Sequence, residues 1–174
     1  MLNPVIEALC SRRSIKKFKS AQITQEELNT ILEAGKNAPS GRNCQSAKFV
    51  VVQNKELRGR LSAMNAEILG VDIDPFYGAP TVVVILADTR CSTPVEDACL
   101  CAGNILNAAY ATGIGGCWIH RARQMFDSPA GKELLDAWGL DSHYIGVAIC
   151  ILGYADCEIP APIPRKDDFV LMIK

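Results

Sequence analysis

Apolar residues recur along this chain at two spacings, one helical and one that fits short buried strands. After Thr24-Gln25-Glu26-Glu27 the series Leu28, Ile31, Leu32 marks one helix, and after Thr93-Pro94-Val95-Glu96 the series Ala98, Cys101, Ile105, Ala109 marks another. Both starts have the form of a capping box, in which the threonine hydroxyl accepts from the amide three residues on while the glutamate reaches back. Pro4 opens a first helix, Asn54 caps one through Leu57 and Leu61, and Ser128 before Pro129 starts one through Leu134, Leu135 and Trp138. Between these lie β-branched apolar runs at Phe49–Val52, Thr81–Leu86, Cys117–Ile119 and Tyr144–Leu152. No polar alternation interrupts them, so they predict a sheet covered by helices on both faces, of class α/β or α+β. The helix from about Thr93 to Thr112 carries Ala98, Ala102, Gly103, Ala108, Ala109 and Ala111, which leaves few positions for water; it belongs in the core, against a partner copy, or both. Residues 158–166, with Pro160, Pro162 and Pro164, predict an extended arm.

The 174 residues show no composition shift, repeat or low-complexity stretch, and predict a single domain over 1–174. Eighteen basic and nineteen acidic residues leave a net charge of −1, which provides no general field for nucleic acid or an anionic membrane. The opening MLNPVIEALCSRRS reaches charge too early for a signal peptide, and no later run approaches the roughly 20 apolar residues of a membrane span. The expectation is a cytoplasmic protein with neither nucleic acid nor membrane as partner. Eight cysteines raise the question of metal. None forms C-x-x-C, and Cys99 and Cys101, two apart on a helix, diverge, so no metal site is expected and reduced thiols serving as small buried hydrophobes are the reading. Iron–sulfur ligation is the alternative.

Four segments carry candidate chemistry. Ser11-Arg12-Arg13-Ser14-Ile15-Lys16-Lys17-Phe18 is a compact basic cluster whose arginine forks and serine hydroxyl suit a phosphate, although an exposed basic run is ordinarily only solvated surface. Asn37-Ala38-Pro39-Ser40-Gly41-Arg42-Asn43-Cys44-Gln45 makes a tight loop in which Asn43 and Gln45 offer amides to a planar heterocycle's edge; otherwise it is a turn that ends a helix. At Gly113, Gly115 and Gly116 a helix passes straight into the strand bearing Trp118, Ile119 and His120, and glycines there permit close approach of backbone to a flat ligand. No strand precedes these glycines and no Lys-Ser/Thr follows, which excludes the nucleoside-triphosphate loop and the Rossmann fingerprint. Arg165 and Lys166 follow the proline arm, where they either join Arg12 at an anion or end in solvent.

Taken in order, an R-R-S-x-K-x-F start, an A-P-S-x-x-N-x-Q loop, G-A-P-T at 78–81, A-A-x-x-x-G-x-G-x-x-W and a closing G-Y with P-R-K resemble the nitroreductase family over essentially the whole chain. The resemblance implies an α+β, three-layer fold with a central, mostly antiparallel sheet flanked by helices. Two chains would interlock as a homodimer, exchange terminal arms, and build FMN sites from both subunits. By position, Arg12, Arg13 and Ser14 would hold the phosphate and ribityl region, with Arg165 or Lys166 adding charge. Lys16 would approach the flavin N1/O2 edge; Pro39, Ser40, Asn43 and Gln45 would reach it from the other subunit; Trp118, Ile119 and His120 would line the ring on the home side. The implied activity is hydride transfer from NADH or NADPH, then to nitroaromatic, quinone or similar small acceptors, by a ping-pong mechanism in which flavin N5 carries the chemistry and no side chain is catalytic.

The chain departs from that pattern at Ser46, where relatives often carry proline, and in residues 64–77, short beside the helical excursion of larger members. Cys44 and Cys117 fall within flavin segments, and one of them is expected near the ring. Same-fold flavoenzymes with another reaction, reductive dehalogenation or flavin cleavage, are the alternative, followed by a flavin-binding electron carrier and a thiol-metal protein.

Overall fold

The computed structural model describes residues 3–174; Met1 and Leu2, the start of the stretch read as no signal peptide, lie outside the described residues. Its elements run α1 (Pro4–Ser11), α2 (Gln25–Lys36), β1 (Ala47–Val52), α3 (Lys55–Leu69), β2 (Thr81–Asp88), α4 (Pro94–Ala111), β3 (Gly115–Ile119), α5 (Ala122–Asp127), α6 (Pro129–Ala137) and β4 (Tyr144–Gly153). Capping explains most of the helix starts. Thr24 Oγ1 accepts from the Glu27 amide at 3.2 Å while the Thr24 amide donates to Glu27 Oε2 at 2.7 Å. Asn54 Oδ1 accepts from Leu57 at 2.8 Å, and Ser128 Oγ from Gly131 at 3.1 Å. At α4 the boundary is as expected but the box is not formed: the Thr93 hydroxyl donates to Asp97 Oδ1 at 3.0 Å, because that buried carboxylate gathers donors for a tertiary contact. Six-residue α5, too short to show a period, follows Arg121 at φ 78°.

The strands form one sheet in the order β1-β2-β4-β3, every neighbouring pair antiparallel, so the fold is α+β. Phe49 faces Ile85, Val83 faces Cys150 and Cys117 faces Ile151. Successive residues of β2 point to opposite faces, and both faces are buried, which is why the run Val82–Ala87 is apolar without alternation. Val82, Val84 and Leu86 pack with Leu61, Phe76, Phe126 and Leu134 on one face; Val83, Ile85 and Ala87 pack with Ile31, Ala102, Ile105 and Ala109 on the other. Burying each such aliphatic side chain stabilises by roughly 1.5–3 kcal/mol, which makes the β2–β4 seam the centre of the molecule.

The polypeptide after Cys157 adds nothing to either face. It has no regular structure beyond a turn at Asp167–Phe169, as the prolines predict, and Ile163, Phe169 and Leu171 stand 80%, 77% and 85% exposed. Among the described residues no helix is long and apolar enough to cross a membrane, and no group of three or more His, Cys, Asp or Glu could hold a metal ion. The thiols divide three ways. Cys101, Cys117 and Cys150 are buried as read, and burial pushes the Cys150 thiol pKa up. Cys10, Cys99 and Cys157 are exposed, and Cys44 and Cys91 form a disulfide, contrary to the reduced-hydrophobe reading.

Candidate functional site

Beyond α1 the chain turns extended at Arg12 and runs along the β3 edge. The Ile15 amide donates to Gly116 O at 3.1 Å, Ser14 pairs with Gly116, and Phe18 bridges Ala155. Ile15 and Phe18 are buried, so the preceding Ser14 and the intervening Lys16 and Lys17 are left facing outward. The fit is close: a Cβ on Gly115 would lie 3.1 Å from Gly153 O and 3.2 Å from the Ile15 side chain, so either would have to give by a few tenths of an ångström.

Arg12, Arg13, Tyr110 and residues 113–116 line a cleft of about 80 Å³. Arg13 Nη1 donates to Cys10 O at 3.0 Å and Arg12 O at 2.7 Å, which fixes the guanidinium. Its Nε is the buried side-chain polar atom that has no partner among the described residues. Buried donors are almost always satisfied, which marks this one as a candidate donor to a group from outside the chain.

Lys16 lies with its ammonium 5.6 Å from the centre of the Tyr77 ring, within cation–π range. Tyr77, at φ 53°, occupies a turn organised by Asp74, which accepts from the Ser62 hydroxyl at 2.6 Å and from the Phe76 and Gly78 amides at 2.9 and 2.7 Å. Arg58 closes the ion pair from α3. Burial would raise the Asp74 pKa, but the Arg58 guanidinium, the Ser62 hydroxyl and the two amides outweigh it and hold the carboxyl below its ordinary value.

Trp118 and His120 share the outer side of β3 with ring centres 5.5 Å apart, and Trp118 is 42% exposed. Ile119 points the other way, 6% exposed and packed in the core, so only its backbone is left to face a ligand. Asn65, fully buried, donates to His120 O at 2.8 Å and accepts from Arg121 Nε at 3.1 Å, which fixes the end of the strand.

The loop after α2 places Ser40 and Gln45 on a separate groove of about 360 Å³, beside Lys36, Lys48 and Asp97. Pro39 and Asn43 are exposed. Arg42, Asn43 and Gln45 adopt φ of 53°, 55° and 52°, unfavourable for residues with a Cβ. Asp97 holds the loop: it accepts from the Gly41 amide at 2.9 Å and the Ser46 hydroxyl at 2.8 Å as well as from Thr93. Burial pushes its pKa up, but these donors more than compensate and leave it lowered. Ser46 is thus the partner of Asp97, and β1 begins directly after it.

The groove at Ser40 and the cleft at Arg12 have no lining residue in common. Arg165 and Lys166 stand exposed on the arm. The chain therefore joins Arg12, Arg13 and Ser14 to the glycines, with Ile159 at the start of the arm, and Lys16 to Tyr77, while the loop and the arm's Arg165 and Lys166 are not brought to the cleft. Asp97, Asn65, Asp74, Tyr77 and Cys91 were not legible as site residues; an acid in a helix's first turn, as Asp97 is, resembles any dipole partner.

The model of the nitroreductase family matches residues 9–154. An NADPH-flavin oxidoreductase of Vibrio harveyi is 33% identical over 182 aligned positions, covering 98% of this chain and 73% of that protein. The crystal structure of a nitroreductase with bound FMN from Bacteroides fragilis superposes with a TM-score of 0.88 at 26% identity, covering 99% of this chain and 100% of that one. A second, from Desulfitobacterium hafniense and also with bound FMN, gives 0.87 at 28% identity with the same coverage.

Proposed function

The chain belongs to the nitroreductase family and is an FMN-dependent oxidoreductase, and on that premise we propose that it takes hydride from NADH or NADPH and passes electrons to nitroaromatic, quinone or similar small acceptors. The observation that carries the reading is the buried, unpartnered Nε of Arg13 beside a glycine-lined cleft. A phosphate would satisfy that donor, Arg12 would add a second charge, and the Ser14 hydroxyl a neutral donor. Bound FMN would supply two-electron chemistry at its N5. Every other task falls to the chain. Lys16, steered by Tyr77, would set a cation at the ring's N1/O2 edge, where negative charge gathers on reduction. Trp118, His120 and the Ile119 backbone would line one side of the ring. The small first cleft cannot enclose a ligand of this size, which needs roughly 300 Å³ or more.

A second copy supplies the remaining wall in this proposal, bringing Pro39, Ser40, Asn43 and Gln45 to the flavin and Arg165 or Lys166 toward its phosphate. Supporting the homodimer are exposed Val5 and Leu9 on α1, Leu100 on α4, an apolar groove between α1 and α4, and the exposed apolar arm. Residues 1–174 would act as one domain in the cytoplasm. Donor and acceptor would occupy the same pocket in turn, which gives ping-pong kinetics.

The visible spectrum before and after anaerobic NADH or NADPH tests the reading. Flavin bands that bleach, followed by recovery on adding a nitroaromatic or quinone, are expected. No flavin uptake when FMN is supplied would overturn it.

A further inference from the structure

The loop that carries Asn43 and Gln45 is held in an unfavourable backbone shape, and one of its restraints is covalent. Cys44 sits between those residues and is joined to Cys91, 47 positions later, with a Cα separation of 6.2 Å. Cys91 belongs to the turn after β2, where its amide donates to Asp88 O at 3.2 Å. The disulfide thus ties the loop to the end of a central strand. Non-glycine residues in the left-handed region persist only where their surroundings over-determine them. The restraints here include the Asp97 carboxylate on Gly41 and Ser46, the Ser40 hydroxyl accepting from the Gln45 amide at 3.1 Å, and the disulfide. The first two grip the loop at its ends and across its base, the backbone closes on itself where the Asn43 and Cys44 amides donate to Ser40 O and Gly41 O at 3.0 Å, and the disulfide is the covalent restraint at Cys44 itself. Cys44 is exposed in the single chain, so there the bond is within reach of a small dithiol.

We propose that Cys44 and Cys91 are positioning residues whose disulfide is a reversible redox tether for the cofactor-facing loop. The role of the loop rests on the flavin reading above. A dithiol of the surroundings is the reductant. One of its thiolates attacks a sulfur of the bond, the S–S bond breaks with a mixed disulfide formed, and its second thiol displaces the remaining cysteine. Cys44 and Cys91 take up two electrons and two protons as thiols, and the dithiol becomes a disulfide. Asn43 and Gln45 then leave the left-handed region, and the fraction of protein with the loop ready to bind falls. With the Asp97 contacts intact the two thiols stay close enough to rejoin.

The test compares the oxidised protein, the same protein reduced with dithiothreitol, and the C44S/C91S double variant, with circular dichroism to establish that all three are folded. Six thiols are expected to titrate in the denatured oxidised protein, matching the six free cysteines, and eight after reduction. Reduction and the double substitution should both weaken FMN binding by about 5- to 10-fold, because the competent fraction enters the apparent affinity directly. Trypsin should cut after exposed Arg42 faster in both, with or without FMN. Reoxidation should restore the natural protein and leave the variant unchanged. Eight thiols before reduction, equal cleavage at Arg42, or equal FMN affinity in the two redox states would each overturn the tether. Failure of the oxidised protein to bind FMN would overturn the flavin reading and the loop's role with it, while the cleavage at Arg42 would still report whether the bond restrains the loop.

Discussion

Asp97 accepts from an amide and two hydroxyls, and a carboxamide of the same shape cannot replace it, because its nitrogen offers further donors where an acceptor is needed. Asp97→Asn is expected to cost about 1.5–3 kcal/mol in urea unfolding at neutral pH, the range for hydrogen bonds to a charged group. The sign of its pH dependence follows from the lowered pKa: the stabilisation is present above the unfolded carboxylate range and is lost as pH falls through the lower folded value. The gap between natural protein and variant should therefore close in acid. Arg13→Ala removes the unpartnered Nε together with its guanidinium, and FMN affinity is expected to fall on the order of 10- to 100-fold by fluorescence titration. Tyr77→Leu removes the ring beneath Lys16, and a loss of about 0.5–1 kcal/mol in holding that ammonium should appear as a small negative shift of the bound flavin's midpoint potential. Tyr77→Phe keeps the ring and should restore the potential.

Whole elements were legible where local chemistry decides them. Thr24, Asn54 and Ser128 cap as their spacing predicts, and the apolar runs at 49–52, 81–86, 117–119 and 144–152 lie within the observed strands. Thr24→Ala should accordingly destabilise the protein by about 1 kcal/mol in chemical unfolding, with the sheet unaffected. Legibility ends where a distant residue intervenes. Thr93 surrenders its cap to Asp97, a competition invisible in the local sequence. The left-handed run at Arg42, Asn43 and Gln45 contains no glycine to announce it, and Cys44 and Cys91 are too far apart in sequence to be paired by inspection. Strand geometry likewise turns Ile119 inward between Trp118 and His120, although all three stand in one motif. The basic cluster at residues 11–18 and the glycines at 113–116 were recognisable because phosphate binding and close packing each demand particular residue types. Their meeting at one cleft required the β3 edge to bring them together.

For the molecule as a whole, the arm beyond Cys157 adds no residue to the core of its own chain, touching the Arg12 cleft at Ile159, while displaying Phe169, Leu171 and Ile173 to solvent. Under the homodimer proposal, removal of residues 158–174 should leave a folded sheet but shift the protein to monomer in sedimentation velocity and abolish tight FMN binding. A dimeric truncated protein that retains FMN would refute the arm's role. The strand order has a separate consequence for biosynthesis. β2 lies between β1 and β4, yet β4 is the last strand in the chain. During vectorial synthesis β2 must wait with one row of backbone donors and acceptors open until residues 144–153 have emerged. A nascent chain stalled, or clipped, short of that point would present a long apolar sheet edge to whatever quality-control machinery it meets, so completion of the final strand is the step that commits the chain to its fold.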